Sequence, residues 1–206
     1  MKLNLSYILI LFILPITVFS KVNFIKDIPK THTDTIVYQI DVDSSKLDWY
    51  CDIHNGHVFL DSGYISIYNG EIIAGRFVIC MESIIDLDID DYELMRITLE
   101  NTLKSIEFFN TPVFHHSFFE FDHANKSDDG YHITGELELL GVAQCVDFGA
   151  EFEFDEDNLI IKSDSIVIDR THWGVTSMSK NDVKSDQSFI VPNEIGIVVH
   201  LVAYRE

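Results

Sequence analysis

Between Val146 and Phe154 the chain alternates without a break. Val146, Phe148, Ala150, Phe152 and Phe154 are apolar, and Asp147, Gly149, Glu151 and Glu153 stand between them. A period of two places every second side chain on one face of a strand, so this segment has one dry face and one wet face. A helix would scatter the same aromatic rings around its circumference. One dry face and one wet face are the mark of antiparallel sheets.

The rest of the chain repeats the pattern. Leu47, Trp49, Cys51 and Ile53 alternate with polar neighbours, and Phe77, Ile79 and Met81 share one parity. Phe114–Phe121, Tyr131–Leu140, Leu159–Ile168 and Ile195–Tyr204 read as further strands. Asn55-Gly56, Asn69-Gly70 and Asp128-Asp129-Gly130 read as tight turns between them. The exception is Asp90–Ile106, where Met95, Leu99, Leu103 and Ile106 recur at helical spacing, with aspartates at the start and Lys104 near the end. Leu103–Phe109 closes this helix with adjacent rings, Phe108 and Phe109. Neighbouring side chains diverge on a helix or a strand, so one ring is expected to plug the core and the other to cover a different surface. About eight antiparallel strands with one inserted helix fit a barrel or a sandwich. A barrel of eight strands is the size that just encloses a small apolar ligand.

Residues 1–20 read as a signal peptide. Lys2 begins it, Tyr7–Leu14 is apolar, and Pro15 precedes Val18-Phe19-Ser20 at a cleavage-like point. Residues 21–35 form a polar lead-in and 36–206 one barrel domain, exported to the periplasm or secreted. The formal net charge of −20 argues against nucleic acid as a partner, because phosphate backbones are bound by clustered Lys and Arg. Cys51, Cys80 and Cys145 lack the density of a disulfide scaffold.

Motifs that carry chemistry are scarce. His54 and His57 follow Cys51, but three residues apart across a turn they face different ways, and a structural zinc site needs four converging ligands. Asp86-Leu87-Asp88-Ile89-Asp90-Asp91 begins like a calcium loop, yet it lacks the sixth-position glycine and has Ile97 at the twelfth. No nucleophile elbow, zinc-protease helix or phosphate loop is present. No metal, cofactor or catalytic residue is therefore expected, and the chain is not read as an enzyme. Arg170 shares strand parity with Ile166 and Ile168. It is read either as a cation for a polar head group or as part of an internal ion pair.

Several segments in order resemble the YceI family, the lipid- or polyisoprenoid-binding proteins with a lipocalin-like barrel. They are Tyr38-Gln39-Ile40-Asp41, His54-Asn55-Gly56, Gly75–Ile79, Met81–Ile84, Leu103-Lys104-Ser105 with Phe108-Phe109, Gly135–Val142, and Ile168-Asp169-Arg170 with Trp173-Gly174. Thr102, Glu107 and Cys80 depart from that pattern, standing where relatives carry histidine, aspartate and aspartate. The resemblance implies an exported antiparallel lipocalin-like barrel holding an isoprenoid lipid, of the quinone or polyprenyl phosphate type. On it, Phe77, Ile79, Met81, Phe108, Phe109, Phe148, Phe152, Arg170 and Trp173 are the ligand-binding candidates. The alternative is a structural or interaction protein whose barrel is filled by its own side chains.

Overall fold

The computed structural model describes residues 34–89, 91–155, 157–180, 182 and 190–206. The signal peptide and nearly all of the lead-in lie outside the described residues. The strands are β1 (Ile36–Ile40), β2 (Lys46–Tyr50), β3 (Asn55–Tyr68), β4 (Glu71–Asp86), β5 (His116–Phe121), β6 (Ala124–Ser127), β7 (Gly130–Leu139), β8 (Val142–Asp155), β9 (Asn158–Ser163), β10 (Ile166–Asp169) and β11 (Glu194–Arg205). One helix, α1 (Glu93–Lys104), follows β4.

Every strand pairing is antiparallel. The order β11-β2-β3-β4-β5-β7-β8-β9 returns to β11 and closes a ring of eight. The other three strands continue members of that ring. β1 and β2 both bridge β3 and β11, β5 and β6 both pair β7, and β9 and β10 both pair β11. Closure removes the open sheet edges that invite aggregation.

Local chemistry explains most of the connections. Asn69 and Gly70 both have positive φ, 51° and 80°, and join β3 to β4 in two residues. That backbone suits the right-handed strand twist, and Asn-Gly adopts it at low cost. Leu140 (φ 52°) and Gly141 (φ 73°) join β7 to β8 in the same manner, which no residue type at position 140 announces.

Asn55-Gly56 is not a turn but the start of β3; the turn lies just before it, where the Cys51 N–H donates to the His54 carbonyl. Gly56 is needed for space. A Cβ there would lie 2.6 Å from the Trp49 ring on its partner strand and closer still to the Ile85 carbonyl. The expected strand Leu159–Ile168 is interrupted between Ser163 and Ile166, and Phe154, the last ring of the alternating series, is 47% exposed.

The helix is shorter and less buried than its sequence suggests. It ends at Lys104 rather than Ile106 because Ser105 is extended. No residue of α1 is buried; Met95 is 60% exposed, and Ile106, just beyond the end, 80%. Thr98 and Thr102 hydroxyls donate back to the carbonyls of Leu94 and Thr98, and no side chain caps the N-terminus. Among the described residues, no helix is long and apolar enough to cross a membrane.

Candidate functional site

Below α1 the ring holds a cavity of about 580 Å³. This falls within the roughly 300–1,000 Å³ range of small-molecule sites. Its wall includes Ile79, Met81 and Ile84 from β4, Ile195 and Ile197 from β11, and Leu99 and Leu103 from α1. The expected helical stripe is therefore split: Leu99 and Leu103 roof the cavity, while Met95 faces out.

Phe108 and Phe109 both line this cavity. They do not diverge, because they belong to neither a helix nor a strand. After Lys104 the chain makes a tight reversal in which Phe109 N–H donates to Leu103, Asn110 N–H to Ser105 and Thr111 N–H to Lys104. Asn110, at φ 43°, completes the turn.

The few polar groups in the wall are already bonded. Ser117 Oγ donates to the Glu138 carbonyl at 2.5 Å. Arg170 is 1% exposed, and four of its N–H groups donate to backbone carbonyls. Nε reaches Pro192 at 3.0 Å, one terminal nitrogen reaches Val175 and Ser177 at 2.7 and 2.9 Å, and the other reaches Val191 at 3.2 Å. Burial pushes its pKa down, although the Asp169 carboxylate opposes this. Its hydrogen-bond partners are backbone carbonyls, which is not the internal ion pair that one sequence-based reading expects. It holds the 3-10 turn Arg170–Trp173 to the segments on either side of the undescribed residues 183–189.

The chain matches the family model of the YceI-like domain over residues 38–203. It belongs to the YceI-like family. The curated proteins yield no match. Among solved structures, BcnA of Burkholderia cenocepacia is similar with a TM-score of 0.64 and 17% identity, covering 79% of this chain and 98% of its own. A polyisoprenoid binding domain from Saccharophagus degradans, implicated in plant cell wall breakdown, has a TM-score of 0.57 and 12% identity, over 82% and 98% of the two chains. The Campylobacter jejuni YceI protein has a TM-score of 0.52 and 13% identity, over 77% and 84%. At such identities the likeness is one of fold.

In this YceI-like barrel the predicted ligand-binding residues separate into three groups. Ile79, Met81, Phe108, Phe109 and Arg170 line the 580 Å³ cavity. Phe77, Phe148 and Phe152 lie around a void of only 70 Å³, which shares Leu47, Ile79, Leu137 and Ile197 with the 580 Å³ cavity; Phe152 also borders a cleft of about 690 Å³ at the far end of the strands. Trp173 borders neither; it is 3% exposed and its indole N–H donates to the Leu137 carbonyl at 2.9 Å.

The small void is what an aromatic cluster leaves behind. Phe119 lies 6.2 Å from Phe77, 6.0 Å from Phe121 and 5.6 Å from Phe148, centre to centre. These separations are typical of favourable ring pairs. Two glycines make room for them, since a Cβ at Gly75 would strike the Phe121 ring and one at Gly135 the Phe119 ring. The barrel is thus hollow beneath α1 and nearly filled at its middle, and the second, more open and more polar cleft of about 690 Å³ lies at the end away from α1, beside the β3–β4 turn and the β6–β7 hairpin. Phe119 itself is absent from the sequence-based candidates because His115-His116 and Pro112 obscure the parity of its strand.

The rim of the YceI-like cavity carries a polar cluster. His54, which lines the cavity, directs Nδ1 at Asp88 Oδ2 (3.0 Å) and Asp86 Oδ2 (3.7 Å). Burial pushes the Asp86 carboxyl above its ordinary value, and the neighbouring Asp88 carboxyl pushes it further. Burial also acts to raise Asp88, but the Asn55 N–H, Asp86 and His54 together hold it below its ordinary value. His57 turns elsewhere, to Asp48, and His116 pairs with Asp61. The three cysteines are unpaired.

Proposed function

We propose that this protein is an exported carrier that holds a long apolar lipid of isoprenoid type in the cavity beneath α1. The observation that carries the reading is the 580 Å³ apolar cavity, whose interior polar groups are already bonded within the protein. Such a wall rewards apolar surface and offers little to a polar ligand. Each methylene moved from water into it contributes roughly 0.8 kcal/mol, so a tail binds without any catalytic constellation. The polyisoprenoid binding domain of Saccharophagus degradans shares the fold and supports this ligand class.

The head group is narrowed by the same geometry. Arg170 bonds carbonyls, and the net charge of −20 opposes an anionic phosphate. Both favour a neutral, quinone-like head group over a polyprenyl phosphate. Entry past α1 disturbs little packing, because that helix buries none of its residues.

The alternative, a barrel filled by its own side chains, is supported by the aromatic cluster around the 70 Å³ void at the middle of the ring. Native mass spectrometry of the purified protein, followed by organic extraction, tests the reading. A co-purifying neutral isoprenoid is the expected result. Failure to retain or take up any isoprenoid would overturn it.

A further inference from the structure

The histidine and the acidic run that look unpromising separately in the sequence meet in space. Asp86 ends β4 opposite Gly56, which sets His54 and Asp88 beside it at the mouth of the barrel. His54 Nδ1 and one carboxylate oxygen from each aspartate lie within 4.8 Å of one another.

Three observations distinguish this cluster from a chance grouping of surface acids. The Asp86 side chain is fully buried, and its Oδ2 has no hydrogen-bond partner. An unpaired buried carboxylate oxygen is costly, and such groups are retained where something satisfies them. Next, the remaining oxygens are held by the backbone: Ile89 N–H donates to Asp86 Oδ1 at 2.9 Å and Asn55 N–H to Asp88 Oδ1 at 2.8 Å. This leaves both Oδ2 atoms turned toward His54, as outer bonds orient the ligands of a metal site. Finally, Nδ1 stands 3.7 Å from Asp86 Oδ2 and 3.0 Å from Asp88 Oδ2, the latter a hydrogen bond whose proton an ion would displace. Those distances bracket the ~3.3 Å between two ligands that each sit about 2.0–2.1 Å from a tetrahedral ion.

We propose that His54 Nδ1, Asp86 Oδ2 and Asp88 Oδ2 bind a divalent first-row transition metal ion, with zinc the best fit. Three protein ligands and an open fourth position match an accessible zinc site rather than a closed structural one. An imidazole among three ligands disfavours calcium and magnesium, which take oxygen. Bound there, the ion ties the loop before β3 to the connection between β4 and α1. This inference is independent of which lipid occupies the cavity, and it departs from the expectation of no metal drawn from each motif alone.

The test uses the untagged protein stripped with EDTA and titrated with zinc sulfate by calorimetry, with thermal unfolding and the visible spectrum of the cobalt-substituted protein as further readouts. The expected result is one equivalent bound, a raised melting temperature, and cobalt bands of a four- or five-coordinate ion. Asp86→Asn should weaken binding at least about tenfold, the scale already seen for losing outer-sphere support alone. Should that variant not fold, His54→Gln decides, because His54 is partly exposed on a loop. Equal zinc binding in His54→Gln and the parent would place the ion on other surface histidines and overturn the proposal. So would absence of binding at millimolar zinc.

Discussion

The Arg170 guanidinium lies 5.7 Å from the centre of the Phe108 ring, and both side chains are buried. The contact joins the turn after α1 to the 3-10 turn after β10, two segments 62 residues apart by number (108 and 170) that together wall one side of the cavity. A buried cation over an aromatic face is favourable by up to ~2 kcal/mol when desolvated. Here the same cation also satisfies four backbone carbonyls.

Arg170→Ala should therefore destabilise the fold strongly, by about 3–5 kcal/mol, because buried acceptors are left without donors. Arg170→Lys should recover little of this, since an ammonium cannot span the planar fork that reaches Pro192, Val191, Val175 and Ser177. Urea denaturation of the three proteins provides the check; a fully stable lysine variant would contradict the assigned role.

Phe108 and Phe109 should separate under substitution. Phe108 is 6% exposed, so Phe108→Ala should cost about 3–5 kcal/mol of stability. Phe109 is only half-buried while facing the same cavity. Phe109→Ala should lose less stability and more apolar-ligand affinity. Parallel denaturation and fluorescent-lipid titration measure both, and identical effects on both readouts would remove Phe109 from the binding wall.

Phe119 packs against Phe77, Phe121 and Phe148 and lines the 70 Å³ void that adjoins the 580 Å³ cavity. Phe119→Ala should join the 70 Å³ void to the 580 Å³ cavity and shift retained ligands toward longer chains. A homologous series of alkyl or prenyl ligands, scored by native mass spectrometry, would reveal the shift. An unchanged length preference would mean that Phe119 does not set it.

Asp169 caps the 3-10 turn, accepting from Thr171 Oγ1 at 2.6 Å and Thr171 N at 2.9 Å. The Thr171 hydroxyl, chiefly, holds its carboxyl below the ordinary value of 3.8, against a smaller upward push from burial. A depressed carboxylate pKa stabilises the fold above 3.8 and loses that contribution as pH falls through the folded value. Asp169→Ala should thus cost about 1 kcal/mol near neutral pH. The gap in melting temperature between variant and parent should narrow below pH 3.8.

Much of the barrel is legible in local pattern. The alternation in β8, the shared parity of Phe77, Ile79 and Met81, and the Asn69-Gly70 hairpin all depend on neighbours in sequence, and the structure has each of them. Errors arose where a residue's role is set across strands. Asn55-Gly56 carries a turn signal, but Gly56 answers to the Trp49 ring. Met95 keeps helical spacing with Leu99, yet the ring of strands offers α1 only one edge to cover.

By itself the sequence determined the strands, the single helix and the family resemblance, because period and turn chemistry act over a few residues. Only the tertiary structure decided where the barrel is hollow, which cations are free, and which side chains meet. Volume depends on how rings such as Phe119 and Phe148 interlock from different strands. The donors of Arg170 and the convergence of His54, Asp86 and Asp88 depend on which backbone passes alongside. Those are distances through space, and no spacing along the chain encodes them.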